Sequence, residues 1–250
     1  YREREFTREL CMRAQACDYE ALILTLDNQV IGKRERDLAN GFTIPPDFDV
    51  FSYIQMITKY RWLWRMRSAH KNLTFANYAR AGEKTSLYQL AQRMSDLLDP
   101  GMTWDDISWL RDIWKGPLII KGVLDPEDAA KATTIGIDAL VISNHGGRQL
   151  DGAITSLAAL PSIVEAVSKK IPVLIDGGIR RGTDILKVLA LGATACMIGR
   201  PHLWGLSVAG KAGVKHVIDI YAEELDIAMG LCGIKNLAEI TPDLLYKIDN

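Results

Sequence analysis

Residues 139 to 148 read Ala139-Leu140-Val141-Ile142-Ser143-Asn144-His145-Gly146-Gly147-Arg148, a short apolar run that passes directly into polar and glycine residues. An apolar run of this length, bounded by turn residues, is typical of a buried β-strand. The residues that can do chemistry therefore follow the carboxyl end of a strand, where α/β folds carry their functional loops.

Four further apolar runs have strand length, and most of them follow a helical pattern that ends at a glycine or a proline. The runs are Ala21–Thr25, Leu118–Lys121, Val173–Asp176 and Ala195–Gly199, and the helical patterns are Glu127–Thr134, Leu157–Lys170 and Thr183–Leu191. Alternating strands and helices predict a parallel α/β sheet. Because every strand ends in chemistry-bearing or glycine residues, we predict a (β/α)8 TIM barrel. A doubly wound sheet, the alternative, gathers such residues near one switch point.

The long range between the first two predicted strands, Asn28–Pro117, supplies no core strand. The five remaining strands are too few to close a barrel. Either three strands are hidden in this range, or the chain is the C-terminal part of a longer protein. Because Arg4–Cys17 is predicted to be a helix that leads into the first strand, we favour the second explanation and interpret residues 1–250 as one domain with the last five βα units of a barrel and without its first three strands. Residues 28–117 then form a long insert, with a turn at Ile44–Pro46 and an amphipathic helix at Thr103–Trp114.

One segment of the insert, Phe51–Arg67, mixes aromatic and basic residues, namely Tyr53, Tyr60, Trp62, Trp64, Arg61, Arg65 and Arg67. Two interpretations remain open. An amphipathic helix can pack its aromatic residues on the barrel while its arginines stay in water. Alternatively, the same combination can contact a membrane surface.

Composition narrows the class of protein. Thirty Lys and Arg residues balance 31 Asp and Glu residues, so we expect no nucleic-acid partner. Four cysteines without CxxC spacing indicate a reducing compartment, and we predict no metal site. We find no apolar run of about 18 residues, no signal peptide and no peroxisomal signal. We therefore expect a cytoplasmic protein, or one bound peripherally to the inner face of the cell membrane.

The pair His145 and Arg148 is the strongest chemical signal. Histidine can accept a proton near neutral pH, and arginine can bind a carboxylate with two hydrogen bonds. The pair therefore suits an acidic substrate that bears an ionisable hydrogen. A lone histidine is more often structural, but the strand end and the neighbouring Gly146 and Gly147, which let a ligand approach the backbone, favour a functional site.

A second signal is glycine-rich and basic: Asp176-Gly177-Gly178-Ile179-Arg180-Arg181-Gly182, followed after one helix by Gly199-Arg200. Glycine-lined turns with exposed N–H groups and nearby arginines bind phosphate, and barrels often carry such a site after their last two strands. We predict a phosphorylated ligand. The alternative is that these glycines form ordinary turns.

Two charged residues at strand ends need partners. Lys121 ends an apolar strand, so its ammonium requires an anion in the barrel mouth. Asp27 follows the first strand and could orient a histidine, or it could cap a helix or a surface turn instead.

These residues resemble a known family, the FMN-dependent L-2-hydroxy-acid oxidases and dehydrogenases, which include glycolate oxidase, flavocytochrome b2 and mandelate dehydrogenase. The segments Ser143–Asp151 and Asp176–Gly182 carry the resemblance. Leu124–Ala129 and Ala209–Gly213 are most similar to the bacterial L-lactate dehydrogenase branch.

The resemblance implies a barrel with FMN at its mouth. His145 would be the base, Asp27 would pair with it, and Arg148 and Arg34 would contact the substrate carboxylate. Lys121 would stabilise negative charge on reduced FMN. The remaining implied contacts to FMN are Thr25, Ser143, Asp176, Gly177, Gly178, Arg180, Gly199 and Arg200.

The implied reaction is oxidation of an L-2-hydroxy acid, L-lactate in the first place, to a 2-oxo acid. Electrons would pass on to a quinone, a cytochrome or oxygen, and we expect a homo-oligomer. Hydride transfer and carbanion formation remain alternative mechanisms. Relatives commonly have Val-Asp-Thr-Pro where this chain has Leu26-Asp27-Asn28-Gln29. The family also has three earlier strands, which bear flavin contacts and a substrate-binding tyrosine, so this chain alone is expected to bind FMN poorly.

Two other functions remain open. One is a different flavin- or phosphate-binding barrel enzyme, such as type 2 isopentenyl-diphosphate isomerase or the IMP dehydrogenase group, which share the glycine-rich loops but not His145 and Arg148 in this setting. The other is an inactive remnant of a barrel.

Overall fold

A computed structural model describes residues 1–41, 49–69, 74–78 and 87–246 of the chain. The predicted turn at Ile44–Pro46 lies outside these residues. The chain divides into two compact units. We call Tyr19–Asp27 with Thr103–Asn250 the barrel unit, and Tyr1–Asp18 with Asn28–Met102 the insert unit.

The described helices and strands follow one another as α1 (Arg4–Ala16), β1 (Leu22–Thr25), α2 (Glu35–Ala39), α3 (Val50–Thr58), α4 (Tyr60–Ala69), α5 (Leu87–Asp96), α6 (Trp104–Ile113), β2 (Leu118–Val123), α7 (Pro126–Ala132), β3 (Ala139–Ile142), α8 (Ser156–Val167), β4 (Val173–Ile175), α9 (Gly182–Ala190), β5 (Ala195–Cys196) and α10 (Pro201–Leu231). Short 3-10 turns occupy His145–Gly147, Leu237–Glu239 and Pro242–Leu244.

The barrel unit contains one parallel sheet with the strand order β1-β2-β3-β4-β5. The register pairs Thr25 with Lys121 and Lys121 with Val141. It also pairs Ile142 with Ile175, so all the strands end at the same edge. The structure confirms the predicted set of five parallel strands with helices between them, which is part of a (β/α)8 barrel.

The core of this unit lies between the sheet and the helices that connect its strands. All four residues of β3 are buried, and Leu160, Ile163 and Val167 of α8 are buried as well. Full burial of each such side chain stabilises the fold by about 1.5–3 kcal/mol. Capping fixes where the helices begin: Asp125 accepts hydrogen bonds from the first N–H groups of α7, and Thr155 accepts one at α8.

Strand β2 extends past its predicted end at Lys121 because Gly122 continues it through a register shift. Gly122 has a φ of +101°, and a Cβ placed there would lie 2.8 Å from the Cβ of Asp27. A side chain at this position would therefore displace Asp27. Strand β5 is shorter than predicted, since only Ala195–Cys196 pairs with β4.

The insert unit is helical in its described residues and, as predicted, contains no strand among them. The segment Phe51–Arg67 forms two helices rather than one, because Lys59 leaves the helical region with φ −95° and ψ 40°. Several large side chains of α3 and α4 are exposed, including Phe51 (65%), Tyr60 (70%) and Trp64 (77%). None of the helices in the described part of the chain combines the length and the apolar character that a membrane crossing requires.

Candidate active site

Lys121 finds its predicted anionic partner across the sheet. Its Nζ lies 3.0 Å from Oδ2 of Asp176, which follows β4, and donates a hydrogen bond of 2.8 Å to Oγ of Ser143, which follows β3. The side chains of Lys121 and Asp176 are only 14% and 18% exposed. A pair this buried requires both partners, because either charge left alone would be strongly destabilising.

His145 meets Asp27 at the same edge of the sheet. The His145 Nδ1 and the Asp27 Oδ1 lie 3.1 Å apart, and Asp27 is the more buried of the two. His145 has a φ of +57°, which is an uncommon backbone conformation for a residue with a side chain. Its N–H donates to Oγ of Ser143 at 3.0 Å, so Ser143 joins this pair to Lys121.

Two residues that sequence reasoning missed hold the His145 loop in place. Asn144 accepts hydrogen bonds from the N–H groups of Gly146 and Gly147, at 3.0 and 3.3 Å. The amide of Gln149 donates to the main-chain oxygen of Asp27 at 2.9 Å. An asparagine before two glycines is a recognisable turn signal, whereas nothing in the sequence indicates the partner of Gln149.

A cavity of about 360 Å³ opens at this edge of the barrel unit. Its lining contains ten of the predicted site residues, namely Thr25, Lys121, His145, Arg148, Asp176, Gly177, Gly178, Arg180, Gly199 and Arg200. An adjoining cavity of similar volume shares Gly178, Arg180 and Arg200 and adds Lys187. Both volumes fall within the range of small-molecule and cofactor sites.

The remaining predicted residues lie elsewhere. Ser143 and Asp27 support the cavity through the contacts described above. Arg34 belongs to the insert unit, where it precedes α2. Its predicted contact with a substrate carboxylate stays a prediction.

The chemistry of the lining fits a flavin mononucleotide. The guanidinium groups of Arg180 and Arg200 can bind a phosphate with paired, charged hydrogen bonds. The Asp176 Oδ1 is buried and has no hydrogen-bond partner among the described residues, so it can accept from a hydroxyl group. A Cβ built at Gly178 or Gly199 would meet nothing within 4 Å, so the backbone is open to a ligand there.

The fold and the site together define a parallel α/β barrel protein with a basic, glycine-lined mouth. The family model for FMN-dependent dehydrogenases matches residues 1–247. The chain therefore belongs to the FMN-dependent dehydrogenase family, as its motifs predicted. FMN, the predicted cofactor, is the cofactor of this family.

Individual relatives are similar over almost the whole chain. An L-lactate oxidase of Nostoc sp. is 47% identical over 246 residues, which are 98% of this chain and 62% of that protein. An L-lactate dehydrogenase of Ectopseudomonas mendocina is 41% identical over 98% of this chain and 65% of that protein. Among solved structures, the monotopic membrane protein (S)-mandelate dehydrogenase is 37% identical, with a TM-score of 0.92 over 98% of this chain and 64% of that one. The chain thus spans 62% to 65% of the length of these proteins.

Proposed function

We propose that this site oxidises an L-2-hydroxy acid to a 2-oxo acid, with L-lactate as the substrate and pyruvate as the product. The proposal rests on the His145–Asp27 pair, whose atoms lie 3.1 Å apart, in a site where His145 and Arg148 line the same cavity. A base and a carboxylate-binding cation together suit a substrate whose hydroxyl group stands beside a carboxylate.

In this proposal His145 accepts the hydroxyl proton. Because its Nδ1 is engaged by Asp27, the nitrogen that remains for the substrate is Nε2. The imidazole becomes positive as it takes the proton, and the carboxylate of Asp27 stabilises that charge without itself becoming protonated. Arg148, joined by Arg34 on the strength of the family resemblance, binds the substrate carboxylate.

The same proposal assigns the other lining residues to the cofactor. When bound, FMN supplies the acceptor for the two electrons that leave the substrate carbon. Lys121 stabilises negative charge on the flavin ring, and Arg180 and Arg200 bind the phosphate. Further contacts come from Thr25, Ser143, Asp176, Gly177, Gly178 and Gly199.

The substrate assignment follows the relatives. Two of them are an L-lactate oxidase and an L-lactate dehydrogenase, whereas the solved relative acts on (S)-mandelate. We infer that a quinone, a cytochrome or oxygen receives the electrons, and that the protein is a cytoplasmic or peripheral homo-oligomer.

The test is to mix the purified chain with FMN, remove air, and follow the flavin colour after adding L-lactate or (S)-mandelate. Bleaching by L-lactate that is lost in His145→Ala supports the proposal. Bleaching by (S)-mandelate but not by L-lactate would mean that the substrate is an (S)-mandelate-like acid. Bleaching by L-lactate that survives in His145→Ala would contradict the role of His145 as the base.

The same experiment separates the alternatives. Flavin uptake without bleaching by any 2-hydroxy acid would favour an isomerase-like or other FMN-binding barrel enzyme. No uptake of flavin would favour an inactive remnant. The isomerase-like enzymes do not share His145 and Arg148 in this setting, which favours the proposal over that alternative.

We also propose that α3 and α4 contact an anionic membrane surface. Residues 50–69 contain Lys59, Arg61, Arg65 and Arg67 but no Asp or Glu. Exposed apolar side chains on the same helices, such as Trp64, could enter the headgroup region. The relative described as a monotopic membrane protein supports this interpretation.

A further inference from the structure

The segment Ile179–Gly182, part of the basic loop after β4, is held by two side chains of α10. The hydroxyl of Tyr221 donates to the carbonyl oxygen of Ile179 at 3.0 Å. The two carboxylate oxygens of Glu224 accept hydrogen bonds from the N–H of Gly182, at 2.8 Å, and from Arg181, at 2.7 Å. The backbone on both sides of Arg180 is therefore fixed from outside the loop.

The guanidinium of Arg180 has contacts of its own. It donates to the carbonyl oxygen of Ile179 at 2.9 Å, the same oxygen that Tyr221 reaches. Its carbon Cζ lies 5.2 Å from the centroid of the Trp204 ring, within the range of a cation–π contact. The side chain of Arg180 is thus oriented by one hydrogen bond and one aromatic face.

A bend in α10 brings these contacts together. Ala209 and Gly210 leave the helical conformation, which divides the helix into a first arm, residues 201–208, and a second arm, residues 211–231. A Cβ on Gly213 would lie 1.9 Å from the carbonyl oxygen of Gly205, so the two arms cross with their backbones in contact. Trp204 on the first arm and Tyr221 on the second therefore reach the same loop.

None of the three side chains from α10 is among the residues that line the two cavities described above, whereas Arg180 lines both. Trp204, Tyr221 and Glu224 therefore do not line the site themselves, and their contacts reach it through the loop. A guanidinium that is already oriented loses less side-chain freedom when it binds an anion.

We propose that Trp204, Tyr221 and Glu224 are positioning residues that orient Arg180 toward the phosphate group of the flavin. This inference rests on the proposed function, because it takes Arg180 to bind that phosphate. It assigns to α10 a part in cofactor selection, namely preference for the phosphorylated flavin over riboflavin, which has the same ring without the phosphate.

The experiment measures the Kd of the chain for FMN and for riboflavin by quenching of flavin fluorescence. Trp204→Leu should weaken FMN binding about threefold, the effect of one exposed cation–π contact. Tyr221→Phe should weaken it about fivefold, the effect of one hydrogen bond. Riboflavin affinity should not change in either variant. Trp204→Phe, which retains an aromatic face, should restore most of the FMN affinity.

Lys215→Ala is the matched control, because Lys215 lies on the second arm and pairs only with Asp219 in the contacts described. It should leave both affinities unchanged. Tyr221→Phe removes a single oxygen and keeps the test usable if Trp204→Leu does not fold, which a thermal unfolding scan without flavin would reveal.

Equal losses for FMN and riboflavin would mean a general structural role and would overturn the inference. Unchanged FMN affinity in both Trp204→Leu and Tyr221→Phe would overturn it as well, while leaving the proposed function intact. Because the chain alone is expected to bind FMN weakly, the titration extends to a large excess of FMN over protein. Failure of the unaltered chain to bind FMN even then would count against the proposed function itself, and the inference would fall with it.

Discussion

At the scale of single residues, the Lys121–Asp176 ion pair, the His145–Asp27 hydrogen bond and one hydroxyl organise the site. The Oγ of Ser143 accepts hydrogen bonds from both the Lys121 ammonium and the His145 N–H. The two pairs are thereby held at a fixed separation along the strand ends. Precise placement of this kind is what acid–base chemistry requires, since a proton is transferred only over hydrogen-bond distances.

We expect Asp27→Asn to lower the rate of flavin reduction by L-lactate at least about a hundredfold, the lower end of what acid–base groups contribute. An amide cannot stabilise the imidazolium that forms on His145. Stopped-flow absorbance of the flavin would measure the rate, and FMN affinity should be unchanged. Asp226→Asn, which alters an exposed carboxylate on α10, is the control. An unchanged rate in Asp27→Asn would show that the 3.1 Å contact has no part in the reaction.

We expect Gly122→Ala to lower the free energy of unfolding by about 2 kcal/mol or more, combining strain at positive φ with a collision. The new Cβ would lie 2.8 Å from the side chain of Asp27. Urea denaturation would measure the change. Gly233→Ala is the comparison, because Gly233 also has a positive φ, +74°, but nothing lies within 4 Å of its Cβ position. Equal losses in both variants would mean that only the backbone conformation matters at Gly122.

At the scale of elements, α10 illustrates how glycine allows two helical segments to approach. We expect Gly213→Ala to lower the free energy of unfolding by at least about 1–3 kcal/mol, the range for overpacking. The obstacle is the carbonyl of Gly205, which cannot move away as a flexible side chain would.

Gly230→Ala in the same helix should change the free energy of unfolding in the opposite direction. A Cβ at Gly230 would meet nothing within 4 Å, so alanine should stabilise the helix by up to about 1 kcal/mol. Circular dichroism during thermal unfolding would compare the two variants. Destabilisation of similar size in both would contradict the proposed crossing of the arms.

The contact between Glu224 and the loop before α9 should also depend on pH. Hydrogen bonds from Arg181 and from the N–H of Gly182 hold the pKa of Glu224 below its ordinary value of 4.5. A lowered pKa in the folded state means that the contact stabilises the protein above the ordinary pKa and is lost as the pH falls through the folded value.

We therefore expect the difference in Tm between the unaltered chain and Glu224→Gln to be largest near neutral pH and to shrink as the pH falls below 4.5. Differential scanning calorimetry across the acid range would measure it. A difference that stays constant with pH would mean that the charge of Glu224 contributes nothing.

At the scale of the whole molecule, both units expose large apolar side chains, but α3 and α4 combine exposed tryptophans with basic residues and no acidic ones. The barrel unit carries the cavity and its charged lining, whereas α3 and α4 of the insert unit expose Trp62, Trp64 and several other large apolar side chains. Clusters of exposed aromatic residues are uncommon on surfaces that face only water.

We expect the chain to float with vesicles that contain phosphatidylserine. It should not float with vesicles of phosphatidylcholine alone, and high salt should weaken its binding to the anionic vesicles. Trp62→Ser with Trp64→Ser should reduce vesicle binding at least about tenfold, since each large apolar side chain contributes about 1.5–3 kcal/mol when buried. Tyr246→Ser, which removes an aromatic residue that is 91% exposed in the barrel unit, is the control. Equal binding by all three proteins would exclude α3 and α4 as the contact.

Local patterns were sufficient to predict most of the elements. The apolar run at 139–142 forms β3, and the predicted helix at Thr103–Trp114 is α6, because strand and helix periodicity and capping residues act over a few neighbours. The gathering of site residues at one edge was also predictable, since parallel strands place all their carboxyl ends together.

What the sequence determined by itself was therefore the set of strands, the edge at which the predicted site residues gather, and the family, all of which depend on residues close together along the chain. Only the tertiary structure decided which side chains pair: Asp176 with Lys121, Gln149 with the backbone of Asp27, and Trp204 with Arg180. It also decided the division of Phe51–Arg67 into two helices and the crossing of the arms of α10. Such contacts join residues far apart in sequence, and their geometry depends on how packed elements meet rather than on any local pattern.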